Sequence, residues 1–188
     1  MKLYYFRDPE NYYFASAIRR GTWFPVGVKI CPECQLSRQT RISPLIIEWE
    51  PGSNVIGDFV WPGLNSDIAV TQTVKEKFEE SFSAIEFGQV EYWQAPKHKR
   101  PIKTTKRSQP RVWLPYVGPT LWDIIPTNWC HLDHQRSGIS IEKECSVCKR
   151  VVYKYPPQHQ GRLVVDLATW NGENIFHIYE FPGGIFCT

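Results

Sequence analysis

No apolar run in this sequence approaches the roughly 20 residues that a membrane-crossing helix needs. The opening stretch, Met1-Lys-Leu-Tyr-Tyr-Phe-Arg7, has neither a long apolar core nor a small-residue cleavage site, so it does not read as a secretory signal. These absences point to a soluble, cytoplasmic protein with no membrane partner. Catalytic signatures are lacking as well. There is no glycine-rich phosphate loop, no His-Glu-x-x-His and no Gly-x-Ser-x-Gly. The expectation is a protein that is not an enzyme. Asp58, Glu48 and Glu50 lie near Trp49 and Trp61, but in a strand-turn region such carboxylates read as solvated positions and turn hydrogen bonds.

Long helices have little room, because 15 prolines and 12 glycines punctuate the 188 residues. What remains is short and β-prone. Leu45-Ile-Ile-Glu-Trp49, Arg111-Val-Trp-Leu, Arg150-Val-Val-Tyr and Leu163-Val-Val-Asp are rich in β-branched and aromatic residues. A helix is expected after Thr71, with Thr73 as N-cap, Glu76 completing a capping box, and Val74, Phe78 and Phe82 recurring at four-residue spacing. The fold class is therefore α+β and β-rich, with few short helices. With 8 Trp, 9 Tyr and 10 Phe, each burying about 150–250 Å², material for a core is ample.

Charge is unevenly spread. Residues 1–96 carry 9 basic and 12 acidic side chains, residues 97–150 carry 11 and 4, and residues 151–188 carry 2 and 3. Acidic residues are absent from 97–111, where Lys97, Lys99, Arg100, Lys103, Lys106, Arg107 and Arg111 gather among prolines. This stretch reads as an exposed loop whose charge suits an acidic protein surface. Tyr92, Trp93 and Trp113 flank it, so a zinc-ribbon-like nucleic-acid-binding regulator is the alternative, since clustered cations with stacking aromatics serve that purpose.

The chain reads as one unit written twice. Gly52, Asn54, Pro62 and Gly63 match Gly172, Asn174, Pro182 and Gly183 at an offset of 120. Small shifts align the Cys-x-x-Cys pairs at 114 and the threonines Thr71 and Thr188 at 117. Three segments follow: a first lobe over 1–91, a Pro-rich basic linker over 92–120, and a second lobe over 121–188 without the final helix. Segments 45–63 and 165–183 are expected to be equivalent strand-turn-strand units.

The two pairs, Cys31/Cys34 and Cys145/Cys148, carry the clearest chemistry. Two thiolates on one tight turn reach a single ion, and zinc asks for four ligands in a tetrahedron. Two such knuckles brought together complete a closed, structural zinc site with no position left for a reacting water. The competing ligand set is Cys130, His134, Cys145 and Cys148, with His131 as substitute. A thioredoxin-like role needs one Cys-x-x-Cys ahead of a helix, and neither pair has that setting. Knuckles often place glycine after the second cysteine, where the turn wants positive φ; here Gln35 and Lys149 stand there. Cys187 reads as packed.

With Cys31-Pro-Glu-Cys34, Trp61-Pro-Gly63, Cys145-Ser-Val-Cys148 and Phe181-Pro-Gly183 in this order, the chain resembles the double-CxxCG family, which includes the SitI-type immunity proteins of myxobacterial contact-dependent toxin systems. The resemblance implies a small cytoplasmic partner that neutralises a cognate toxin by occlusion. It fixes no toxin-binding residue; only the four zinc ligands carry over.

Overall fold

A computed structural model describes residues 2–8, 13–20, 31–35, 44–50, 53–63, 67–93, 118–156 and 163–188. In chain order the elements are β1 (Tyr4–Tyr5), β2 (Ala17–Arg20), β3 (Ile46–Trp49), β4 (Phe59–Val60), β5 (Ala69–Thr71), α1 (Gln72–Ser81), β6 (Ile85–Gln89) and β7 (Glu91–Tyr92). Then come β8 (Leu121–Pro126), β9 (Trp129–Cys130), α2 (His134–Ser137), β10 (Ser140–Glu144), β11 (Val151–Lys154), β12 (Ile175–Ile178) and β13 (Phe181–Cys187). The β-rich α+β class is as the composition implies. The strand expected at 111–114 lies outside the described residues, and Leu163–Asp166 forms only one bridge, Val165 to Leu132.

Among the described residues four sheets result: β2-β3-β7, β4-β5-β8-β6, β1-β13-β12-β9 and the ribbon β10-β11. Their membership cuts across the lobes expected from the sequence. Strand β8, in the second lobe by position, hydrogen-bonds to first-lobe strands on both sides, with Ala69 opposite Asp123 and Gly88 opposite Asp123. Strand β1, at the start of the first, pairs with β13 through Tyr5 and Phe186. The alternation of Leu121-Trp-Asp-Ile-Ile-Pro126 leaves β8 buried at Leu121, Asp123 and Ile124, which suits a central strand and not a linker's end.

Among the described residues three apolar clusters fill the interior. One lies under β2 and β3 around Ile47 and Trp49, and one under β9 and β12 around Phe176 and Ile178. The third joins the halves: Ile68, Val70, Val74 and Ile124 pack with Ile175 and Ile185 from β12 and β13. Helix α1 supplies Val74 to it, with Phe78 and Phe82 half-buried against it. Its N-cap is Thr71, not Thr73, because the helix begins at Gln72 and Thr71 has extended backbone; the Thr71 hydroxyl, bonded to Asp58 Oδ1 at 3.1 Å, caps no helical N–H.

That threonine bond has a twin. Thr71 N donates to Asp58 O and Thr71 Oγ1 to Asp58 Oδ1; Thr188 N donates to Asn174 O and Thr188 Oγ1 to Asn174 Oδ1. Each clamp closes an antiparallel hairpin, β4-β5 or β12-β13. Asn174 thus answers Asp58, not Asn54. The 120-offset positions differ in structure: Pro62-Gly63 lies in the loop between β4 and β5, whereas Pro182-Gly183 is inside β13, and 46–49 is strand where 167–169 is turn. The loop between β4 and β5 is longer than the turn between β12 and β13, so no single offset spans both hairpins.

The carboxylates near Trp49 divide. Asp58 makes no local turn bond but the cross-hairpin bond to Thr71, and Glu48 is buried and paired with Arg20 at 2.5 Å on the neighbouring strand. A second buried carboxylate, Glu180, ties the segment after β9 to the turn between β12 and β13. Its Oε1 meets His134 Nε2 at 2.8 Å and His131 Nδ1 at 3.0 Å, while Oε2 accepts from Leu132 N at 3.0 Å. Burial opposes its charge, but the donors from His134, His131 and Leu132 outweigh that and hold the carboxyl below its ordinary range. A depressed carboxyl contributes stability that is whole above its unfolded value, about 4.3, and is lost as pH falls through the lower folded one. Glu180→Gln is therefore expected to cost about 1–3 kcal/mol at pH 7. In urea unfolding, its deficit relative to the parent should shrink as pH falls from 5 to 3. A deficit that does not change with pH would assign Glu180 a packing role alone.

Candidate metal centre

The knuckle Cys31–Cys34 lies in the chain between β2 and β3, and Cys145–Cys148 caps the ribbon β10-β11. The two turns are closed alike. Gln35 N donates to Cys31 O at 2.9 Å, and Lys149 N donates to Cys145 O at 3.0 Å. Gln35 has φ 56° and Lys149 φ 58°, the only positive values at non-glycine positions among the described residues. The turn therefore takes the left-handed conformation that glycine would adopt freely, and two side-chained residues accept its cost of about 1–2 kcal/mol each.

All four Sγ atoms lie within 4.8 Å of one another, the single group of this kind among the described residues. Cys31 meets Cys145 at 3.6 Å, and Cys34 meets Cys148 at 3.6 Å. A tetrahedron of sulfurs about 2.3 Å from one ion has edges of about 3.8 Å. The donor set fits a thiophilic metal. Cys31 and Cys145 are buried, Cys34 and Cys148 half-buried.

The electrostatics of the cluster are compatible with a bound cation. The backbone N–H of Cys34 favours the Cys31 thiolate and draws its pKa down to about 6. Cys145 moves the other way, to about 12: the Cys148 backbone N–H favours its thiolate, but burial and the sulfur contacts with Cys148 and Cys31 outweigh it. One thiolate makes the next harder to form. A divalent ion removes that conflict, since metal ligation requires all four deprotonated.

Glu33 adds a crossing that spacing alone does not reveal. Its Oε2 accepts from Ser146 Oγ at 2.6 Å and from Cys145 Sγ at 3.4 Å, joining one knuckle to the other without a metal. The Ser146 hydroxyl is the main reason the Glu33 carboxyl sits below its usual value. In the sequence Glu33 is merely the third residue of a Cys-x-x-Cys.

The competing ligand set does not assemble. Cys130 is buried in the cluster with Leu132 and Phe176, and burial, then Glu180 and Asp166, push its thiol up to about 12. His131 and His134 are both held by Glu180. Cys187 is half-buried in β13, opposite Tyr4 and Ile175. His177 packs on Trp129, and its Nδ1 bonds with Gly184 O at 2.8 Å. The seven cations of 97–111 lie outside the described residues.

No family model, curated protein or solved structure matches this chain. No helix among the described residues is long and apolar enough to cross a membrane.

The expected stoichiometry is one metal ion per chain, zinc being the ion that a four-thiolate set favours. Native mass spectrometry with elemental analysis reads it directly. Two ions per chain, or a metal content unchanged in Cys31→Ser/Cys34→Ser, would refute a shared site.

The turn geometry makes a separate prediction. Lys149→Gly relieves the left-handed strain and should raise stability by about 0.5–1 kcal/mol, read as a higher denaturant midpoint at unchanged slope. Lys149→Ala should give no such rise.

Proposed function

We propose that this protein is an immunity protein: it binds a cognate bacterial toxin domain in the cytoplasm and neutralises it by occlusion, without chemical modification. The observation that carries the reading is the convergence of two knuckles, distant in sequence, on one four-cysteine cluster. With zinc bound, such a shell is closed and offers no position to a reacting water, so its work is to hold the fold. The layout of the knuckles agrees with the resemblance to the double-CxxCG family. The twin knuckle turns and twin threonine clamps support an origin by internal duplication.

A binder that acts by occlusion gains from rigidity, because less ordering remains to be done on association. The four cysteines and the shared apolar cluster supply it. Aromatic anchors are at hand: Trp129 is 40% exposed and Tyr179 50%, with ring centroids 5.0 Å apart. Trp and Tyr of this kind are enriched at protein interfaces.

The test is co-expression with toxic domains encoded beside this gene, followed by pull-down. Rescue of growth together with a stable complex is the expected result. A toxic neighbour that is neither bound nor neutralised would overturn the reading. Nucleic-acid binding that is lost when the seven cations of 97–111 are replaced would favour a zinc-ribbon-like regulator instead.

A further inference from the structure

Both 3.6 Å sulfur contacts of the metal centre cross between knuckles, and each joins residues 114 positions apart. The Glu33–Ser146 bond crosses in the same direction. The sulfurs of a disulfide stand about 2.05 Å apart, so each pair needs to approach by about 1.5 Å. Cys34 and Cys148 are the more exposed pair, so an oxidant arriving from solvent meets them first. The remaining cysteines are poor competitors. Burial raises the thiol pKa of Cys130 and of Cys187 and suppresses the reactive thiolate.

We infer that the cluster is an oxidation site at which hydroperoxides convert four thiols into two disulfides across the knuckles, first Cys34–Cys148 and then Cys31–Cys145, so that the halves of the chain stay joined when metal ligation is lost. In each pair one thiolate attacks the peroxide O–O bond, forming a sulfenic acid and releasing hydroxide, or alkoxide from an organic peroxide. The facing thiol then attacks the sulfenic sulfur; the S–S bond forms, the S–OH bond breaks, and the hydroxyl leaves as water with the thiol's proton. Each disulfide consumes one hydroperoxide and two electrons pass to it. Two hydroperoxides account for all four sulfurs. A chain so oxidised retains none of the thiolates that ligation requires.

This differs from a site whose oxidation frees its two halves. A bond between residues 114 positions apart encloses most of the chain and constrains the unfolded state far more than a bond within one Cys-x-x-Cys turn. The metal-centre reading is needed only for the metal released, not for the pairing.

The experiment treats the full chain, zinc-loaded and metal-stripped, with hydrogen peroxide. Alkylation, non-reducing digestion and peptide mapping follow, while a chromogenic chelator reports released zinc. Expected are the linkages Cys34–Cys148 and Cys31–Cys145, with Cys130 and Cys187 still alkylated. Migration on a non-reducing denaturing gel should be faster, because a large ring of chain has closed. The Cys34→Ser/Cys148→Ser variant should keep the Cys31–Cys145 bridge; should it fail to fold, the map of the unaltered chain decides. Linkages Cys31–Cys34 and Cys145–Cys148 with unchanged mobility would overturn the inference. Cross-knuckle linkages in a chain that binds no zinc would uphold it and remove the metal reading. Zinc release with within-knuckle linkages would do the reverse.

Discussion

The contact on which the rest of the structure depends is the one between sulfurs: Cys31 against Cys145 and Cys34 against Cys148. The ribbon β10-β11 pairs with no other strand among the described residues, and most of its side chains face solvent, Val151 and Tyr153 being half-buried. A two-stranded hairpin on its own is marginal in water. What fixes its tip is the opposite knuckle, through four sulfurs and the Glu33–Ser146 bond. Ionising all four of these thiols without a cation is electrostatically unfavourable, as the lowered pKa of Cys31 beside the raised one of Cys145 expresses. Full ionisation of the cluster would present a charge problem that a thiophilic ion is suited to relieve.

The second tie is apolar. The cluster of Ile68, Val70, Val74 and Ile124 with Ile175 and Ile185 joins α1, β5 and β8 to β12 and β13. Fully burying each of these side chains is worth about 1.5–3 kcal/mol, so this seam rivals a metal site in strength. Strand exchange reinforces it, with β8 placed among first-half strands and β1 against β13. Strands from both halves of the chain thus share sheets. Cysteine chemistry closes one end, and a shared core closes another.

The turn residues that suggest an internal repeat in the sequence do not occupy equivalent places in the structure. Gly52, Asn54, Pro62 and Gly63 draw the eye because turn residues are conspicuous, yet a shared offset between turn residues has no meaning when the loops they sit in differ in length. The structure aligns what hydrogen bonding needs: a threonine that donates with both backbone and hydroxyl to an Asp or Asn at the other end of its hairpin, Thr71 to Asp58 and Thr188 to Asn174. Of the sequence matches, the threonines and the cysteines keep their place. The cysteines are placed by their convergence on one cluster and the threonines by hairpin closure, and neither tolerates a slipped register.

Local chemistry made part of this protein legible from its residues alone. The β-rich class follows from short β-branched segments between prolines and glycines. The knuckles follow from the reach of two thiolates on one turn, and the left-handed residue after each from the turn itself, even with Gln35 and Lys149 in place of glycine. Helix α1 follows from the spacing of Val74 and Phe78. Tertiary structure alone decided which distant groups meet. Nothing local marks Glu33 for Ser146, Glu180 for two histidines, or Glu48 for Arg20 and burial. A lone carboxylate reads as solvated because the donors that make its burial tolerable come from elsewhere in the chain. Strand exchange was hidden for the same reason: periodicity tells a strand which face to bury, and only the packed fold tells it beside which partner.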